Sequence, residues 1–214
     1  MPATCSLKFR SETTMRIVAA LFLAICLGSC SLLVPNVQQD VAQLRAGQYQ
    51  LDRQHSTLLF KVVHMGLSTF VGRFNDIEAT LDFDPADMSK TRLDARVMPI
   101  SIDVNNAGLA DSLRGSSWFD VQTYPQATFT TLSVQPQSAN HFTFTGNLTL
   151  HGVTAPVTLD VTFNGGATNM LTGHYTIGFS ATGTIKRSVF GIDQYIPLVS
   201  DDVALEVFAE FQRR

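Results

Sequence analysis

The side chains that could carry out chemistry are few in this sequence, and they do not fall into catalytic or metal-binding patterns. Its five histidines show neither an HxH nor an HExxH spacing: His55, His64, His141, His151 and His174. Ser56 follows His55, but adjacent residues of a strand point to opposite faces, so the pair cannot act as nucleophile and base. No Gly-x-Ser-x-Gly, P-loop or dinucleotide-binding motif occurs. We therefore expect neither a metal site, nor a cofactor, nor catalysis.

Three polar positions are candidates for binding the polar end of a ligand. His64 continues the apolar alternation of its segment, so its imidazole would face the same space as the apolar side chains. Arg73 and the Lys186-Arg187 pair carry the cationic groups that bind phosphate. Each has an ordinary alternative role, because a lone histidine on an apolar face is often a hydrogen-bonded core residue and basic strand ends are often simply solvated.

The composition describes a folded domain that does not bind nucleic acid. Hydrophobic residues make up 45% of the 214 residues and charged residues only 15%, which is below the roughly 25% of an average soluble domain. A disordered chain has the opposite balance. The 15 Lys and Arg stand against 18 Asp and Glu and form no basic run, which argues against a nucleic-acid-binding surface.

The net charge gives no long-range attraction for an anionic ligand. It is −3 for the whole chain, and without residues 1–29, whose removal is predicted below, 12 basic and 17 acidic residues remain. A pyrophosphate headgroup would therefore depend on local contacts. A neutral headgroup, such as a quinone or an amide, fits this charge balance slightly better.

The amino terminus has the pattern of a bacterial secretion signal. Arg16 precedes an unbroken apolar stretch at residues 17–27. This stretch is too short for a membrane-spanning helix, which needs about 20 apolar residues. Leu27-Gly28-Ser29-Cys30 resembles the lipobox, in which the cysteine thiol is acylated and becomes the new N-terminus. The pattern predicts a signal peptide at residues 1–29, with Met15 as the true start.

An acylated Cys30 would anchor the protein in a membrane, because several acyl chains on one residue hold stably where a single chain is marginal. By resemblance to enterobacterial sorting, Ser31 in place of Asp indicates the outer membrane, seen from the periplasm. An ordinary cleaved signal and an uncleaved anchor are the alternatives. We expect residues 30–48 to form a tether between the membrane anchor and the domain. No cysteine follows Cys30, so the domain at residues 49–214 has no disulfide and no thiolate metal site.

From Tyr49 onward, apolar residues alternate with polar ones, which is the pattern of half-buried strands. Residues 142–150 and 157–163 predict a long hairpin with its turn at 151–155, and Asn164-Gly165-Gly166 predicts the following turn. A short turn at 65–69 and a short helix at 106–113 are the two interruptions that we expect. The chain is predicted to be all-β.

About eight antiparallel strands close into a barrel that is either packed solid or holds one ligand. We therefore predict a single antiparallel lipocalin-like β-barrel of about eight strands, with one short helix on a connection. Closure also removes exposed sheet edges. Long rows of Phe and Leu opposite Gly and Ala favour a cavity, and a filled core is the alternative.

A series of short motifs runs along the predicted barrel. In chain order they are Tyr49-x-Leu-Asp52, His55-Ser56, Phe60-x-Val-x-His64, Gly72-x-Phe74, Leu81-x-Phe-Asp84-Pro85, Trp118-Phe119-Asp120, Tyr124-Pro125, Phe129, Gly146-Asn-Leu-Thr-Leu-His151-Gly152-Val-Thr and Arg187-x-x-Phe190-Gly191. In this order and spacing they resemble the YceI-like family of polyisoprenoid-binding, lipocalin-like periplasmic proteins, over essentially the whole domain. Relatives often carry an Arg-Asp pair before the tryptophan motif, where this chain has Leu109-Ala110-Asp111.

The resemblance implies a barrel around a long apolar pocket that holds an isoprenoid or another lipid tail, without a settled catalytic activity. We expect non-catalytic carriage or storage of such a lipid, or of an isoprenoid quinone, in the cell envelope. Some relatives are encoded or fused with a membrane cytochrome b561-type protein, so an accessory quinone-binding partner of such a protein is one alternative. A structural or adaptor lipoprotein with a packed core is another, and a homodimer is a candidate assembly.

The residues that we expect to contact the ligand lie on the apolar rows and at the candidate polar positions. They are Phe60, Val62, His64, Phe142, Phe144, Leu148, Leu150, Tyr175, Ile177 and Phe179, together with Arg73 and Arg187. For each apolar residue the alternative is plain core packing, because a register error of one residue would reverse the face of its strand.

Overall fold

The computed structural model describes residues 36–214. In this part of the chain there are eleven strands and one α-helix, α1 (Ala107–Arg114). The strands are β1 (Gly47–Leu51), β2 (Thr57–His64), β3 (Ser68–Phe74), β4 (Ile77–Phe83), β5 (Arg92–Val97), β6 (Ile102–Asp103), β7 (Ala127–Pro136), β8 (His141–Leu150), β9 (Val153–Thr168), β10 (Tyr175–Lys186) and β11 (Asp202–Arg213).

Eight of these strands close into a ring by antiparallel pairing. The order runs β1-β4-β5-β7-β8-β9-β10-β11, and β11 pairs back onto β1 through Leu51 opposite Phe211 and Tyr49 opposite Arg213. Strand β4 shows why this sequence forms such a wall, since its residues are alternately buried and exposed from Ile77 to Phe83. The predicted eight-stranded antiparallel barrel is confirmed.

Strand β11 also carries a second set of strands, which we call the arm: β2, β3 and β6. The carboxyl-terminal end of β11 pairs with β1, whereas its earlier part pairs with β2, with Leu205 opposite Phe60. Strand β3 continues the arm from β2, and Phe74 of β3 lies opposite Ile102 of β6. The arm therefore extends one end of the barrel wall beyond the ring.

The predicted helix on a connection is also confirmed. Helix α1 begins after Asn106, whose Oδ1 accepts a hydrogen bond from the Leu109 amide at 3.0 Å and so caps the helix. Ala110 and Leu113 are its buried residues, and they pack with Ile102 of the arm. Among residues 36–214, no helix has the length and apolar character needed to cross a bilayer.

One half of the barrel interior is packed solid with aromatic rings, and we call it the packed half. Phe179 lies at its centre, with ring centroids 5.5 Å from Phe163 and 6.0 Å from Phe211 in edge-to-face geometry. Tyr49 and Phe83 extend the cluster with centroids 6.0 Å apart, and both are fully buried. This geometry adds to the stabilisation that burial alone provides.

Two expected connections differ from the structure. The hairpin between β8 and β9 turns tightly on His151 and Gly152, both with positive φ, rather than over five residues. Strand β9 does not end at the Gly165-Gly166 pair but continues to Thr168. Gly165, at φ +137°, lies at a register shift between β9 and β10 and so forms part of a β-bulge.

The end of the predicted tether, just before β1, packs onto the barrel. Val41 and Leu44 lie at a spacing of three, and a 3-10 turn over Val41–Gln43 buries both against the packed half. The Asp40 side chain caps this turn by accepting from the Ala42 amide at 3.1 Å. Residues 30–35 of the predicted tether lie outside the described part of the chain.

Candidate functional site

A cavity of about 550 Å³ lies where the arm, α1 and one end of the ring meet. Leu58, Phe60 and Val62 of β2 face it together, because every second side chain of a strand points to the same side. Five strands of the ring contribute further apolar side chains to the wall. They are Val97, Ala127, Leu148, Leu150, Ile185, Val203 and Leu205. The wall is almost entirely apolar.

Six of the residues predicted from the sequence line this cavity: Phe60, Val62, His64, Leu148, Leu150 and Arg187. Five others lie in or against the packed half instead: Phe142, Phe144, Tyr175, Ile177 and Phe179. They share the inward face of their strands with the cavity residues, so the prediction of the face is consistent with the structure. The single long hollow that we expected is occupied over much of its length by these side chains.

Arg73 lies away from the cavity. Its side chain is exposed, and its Nε donates to Asn75 Oδ1 on the surface. The reason is its position on β3, where Arg73 points outward while its neighbours Gly72 and Phe74 are turned to the interior. A ligand in the cavity would not reach its guanidinium.

One side of the wall was not predicted from the sequence. Helix α1 and the segment that follows it contribute Leu109, Leu113, Trp118 and Phe119, and the 192–199 segment contributes Ile192, Tyr195 and Val199. These residues lie outside the period-two strands on which the prediction was built. The Trp118-Phe119 motif was visible in the sequence, but no periodicity assigned its rings to the cavity.

Arg187 is the charged residue of the wall. It is only 5% exposed, and its three nitrogens donate to the carbonyl oxygens of Ser200, Ile192 and Val199 at 2.8–2.9 Å. Its guanidinium also lies 5.6 Å from the centroid of the Trp118 ring, within cation–π range. Arg187 thereby ties together the 187–200 segment that forms one edge of the cavity.

The charge of Arg187 is not neutralised by a close carboxylate. Within residues 36–214, no carboxylate oxygen lies within 4.0 Å of its nitrogens. Burial lowers the pKa of this guanidinium, and the more distant charges of Asp201 and Asp193 oppose the shift. The cavity therefore has one polar, positively charged place in an apolar wall.

The cavity opens to solvent beside His64, Leu109 and Tyr195, whose side chains line it and are exposed. The hairpin of β2 and β3 is joined to the 192–200 segment here. Met65 N donates to the Leu198 carbonyl at 2.7 Å and Ser200 N to the Val63 carbonyl at 2.9 Å. This opening, which we call the mouth, is therefore framed by two connected loops.

One cluster of potential metal ligands occurs among the described residues, on the surface and away from the cavity. Asp52, His55 and Glu210 place ligand-type atoms within 4.8 Å of one another. Asp52 is already engaged: its Oδ2 lies 2.8 Å from His55 Nδ1 and its Oδ1 accepts from the Gln54 amide. The hydrogen bond with Asp52 raises the pKa of His55. The arrangement fastens the turn between β1 and β2.

Comparisons with known proteins agree with this architecture. Residues 49–211 match the model of the YceI-like domain. A UPF0312 protein of Pectobacterium atrosepticum, ECA1782, is 34% identical over 186 residues, which cover 86% of this chain and 96% of that relative.

Solved structures show the same fold. BcnA of Burkholderia cenocepacia is 27% identical with a TM-score of 0.69, covering 75% of this chain and 98% of that one. The YCEI protein of Campylobacter jejuni is 32% identical with a TM-score of 0.64, covering 72% and 91%. A polyisoprenoid binding domain from Saccharophagus degradans, 16% identical and covering 79% and 100%, shares the fold at a TM-score of 0.58. On the family model and these relatives together, the chain belongs to the YceI-like family.

Proposed function

We propose that the protein binds the chain of a lipid, an isoprenoid or an isoprenoid quinone, in the cavity, and carries or stores it without chemical change. The observation that carries the proposal is an apolar wall around about 550 Å³, next to a part of the barrel interior that is filled with aromatic side chains. Burial of a hydrocarbon chain contributes about 0.8 kcal/mol per methylene before ordering costs. A tail of modest length would thus be held by apolar contacts alone.

The chemistry of the wall supports binding rather than catalysis. Among the described residues that line the cavity, polar side-chain atoms come from His64, Arg187, Tyr195 and Trp118. None of these is a carboxylate, a hydroxyl nucleophile of Ser or Thr, or a thiol. Arg187 donates three of its five N–H groups to backbone carbonyls, so two remain to donate to a polar headgroup.

The name of the Saccharophagus degradans domain, a polyisoprenoid binding domain, supports an isoprenoid as the first ligand to test. The full chain would be purified under mild conditions and its native mass measured before and after extraction with organic solvent. We expect an additional mass that the solvent removes and that chromatography identifies as a prenyl lipid or a quinone. A clean apo mass, together with no uptake of added prenyl alcohol or ubiquinone, would contradict the proposal.

The same preparation separates the two ligand classes. Displacement of a bound fluorescent prenyl probe by ubiquinone, but not by prenyl phosphate, would assign the site to quinones and favour the accessory role beside a cytochrome b561-type protein. Displacement by prenyl phosphate would assign it to isoprenoid carriage, with Arg187 as the cationic residue of the wall that could contact the phosphate.

We further propose that the domain works at the periplasmic face of the outer membrane, anchored by acylated Cys30. This cysteine lies outside the described residues, and the support is the lipobox-like Leu27-Gly28-Ser29-Cys30. Cys30→Ser should move the protein from the membrane to the soluble fraction, whereas Ser29→Ala, which keeps the thiol, should leave it attached. Persistent membrane attachment of Cys30→Ser would refute acylation as the anchor.

A further inference from the structure

We infer that the cavity holds one hydrocarbon chain of limited length, about 15–20 carbons, so that the ligand class is a short prenyl chain or the terminal part of a longer one. The limit comes from the volume. A methylene group occupies roughly 25 Å³ at the packing density of a protein interior. The cavity of about 550 Å³ therefore accommodates close to 20 carbons, or about three to four isoprene units. This inference rests on the proposed function.

The strand registers place a floor under the cavity. Leu205 of β11 lines it, and across the sheet Leu205 lies opposite Gly183 of β10, which lies opposite Leu159 of β9. Leu159 packs against both the cavity-side cluster and the packed half. Two residues further along β9, Val161 belongs to the packed half, and two residues further along β11, Val207 packs against it. Leu205 lines the cavity and Leu159 does not, so the hollow ends between these two side chains and Leu159 lies directly beneath it.

Beyond this floor the described interior is filled by the aromatic side chains of the packed half. The Phe163, Phe179 and Phe211 rings lie with centroids 5.5–6.0 Å apart, which is contact distance for edge-to-face aromatic pairs. A longer ligand must then leave its remaining carbons at the mouth, beside Tyr195, which is 64% exposed. Carbons that stay there gain little burial, so affinity should stop rising with chain length.

The test is a chain-length series on the full-length protein. Binding of geranyl, farnesyl, geranylgeranyl and octaprenyl monophosphates would be measured by displacement of a fluorescent prenyl probe, below the concentration at which each forms micelles. We expect a gain of about tenfold or more per isoprene unit up to geranylgeranyl, and less than about threefold in total from there to octaprenyl. A rise that continues to octaprenyl would overturn the inference, as would equal affinity for geranyl and geranylgeranyl.

Two leucine variants locate the floor. Leu159→Ala removes about three methylenes' volume from the floor, so octaprenyl phosphate should gain about tenfold over geranylgeranyl phosphate. Leu81→Ala, deep in the packed half at 3% exposure, removes the same atoms and should leave the plateau unchanged. If Leu159→Ala does not fold, Ala127→Phe in the cavity wall should move the plateau down, to farnesyl. An unmoved plateau in the folded floor or wall variant would overturn the inference.

The outcomes also separate this inference from the proposed function. Failure of the fluorescent prenyl probe itself to bind, together with no uptake of ubiquinone, would refute lipid binding itself. Binding without a plateau would leave lipid binding intact and remove only the length limit.

Discussion

Filling the cavity should weaken ligand binding while leaving the fold intact. Ala127 begins β7, is 7% exposed and lines the cavity beside Val97, its partner across the strands. Ala127→Phe adds about 100 Å³ of side chain, nearly a fifth of the cavity, and so displaces about four methylenes of a bound chain. At about 0.8 kcal/mol each, the loss is about 3 kcal/mol, or somewhat more than 100-fold in affinity.

Stability should respond in the opposite sense to affinity. A phenyl ring that enters a cavity gains contacts with the wall, so the free energy of unfolding of the ligand-free variant should hold or increase. The assay is displacement of a fluorescent prenyl probe, with urea unfolding measured on the same samples. Thr130→Phe, on the exposed face of the same strand, is the matched control and should change neither quantity.

An Ala127→Phe variant that is as stable as the wild type and binds with unchanged affinity would contradict ligand binding in this cavity. The ligand would then lie elsewhere. An equal fall in affinity in Ala127→Phe and in the Thr130→Phe control would indicate a general effect of an added aromatic ring. That result would also contradict ligand binding in this cavity.

Three further changes test the wall, the turn and the ring. Arg187→Met removes the donor from three backbone carbonyls, so urea unfolding should show a loss of about 3 kcal/mol; an unchanged midpoint would contradict this role. NMR titration should place the pKa of His55 above 6.5, and Asp52→Asn should lower that pKa back towards 6.5. Because the pKa is raised in the folded state, the His55–Asp52 interaction stabilises the fold fully below pH 6.5, and this stabilisation is lost as the pH rises through the folded-state pKa. Gly146→Ala puts a Cβ 2.6 Å from a backbone carbonyl oxygen and should cost about 2 kcal/mol in thermal or urea unfolding, whereas Gly178→Ala, with 3.8 Å to its nearest neighbour, should be tolerated.

The strand faces could be predicted from the sequence because alternation is a local property. The residues of β4 follow the period of two throughout, and Phe60 and Val62 of β2 face inward together as expected. The helix at 107–114 was equally local, since Asn106 caps it. Each of these features is fixed by neighbours within a few positions.

The boundary between hollow and packed interior could not be predicted in this way. Phe144 and Leu148 share the inward face of β8, yet Leu148 lines the cavity and Phe144 lies in the packed half. The difference depends on what lies across the barrel, which is set by strand register and by the path of the segment around Trp118. Arg187 shows the same effect: this basic residue after a strand is buried, and it is stabilised there because the segment that follows folds back and brings the carbonyls of Ile192, Val199 and Ser200 to its guanidinium.

The sharing of β11 between ring and arm has a mechanical consequence. One part of this strand is held in the closed ring by β1, and the other part carries β2 and, through it, the whole arm. Separation of β2 from β11 would break no pairing of the closed ring, so we expect the arm to open locally at a lower free energy than the ring unfolds. Backbone amides of β3 should then exchange with deuterium faster than those of β9, which is flanked by ring strands on both sides.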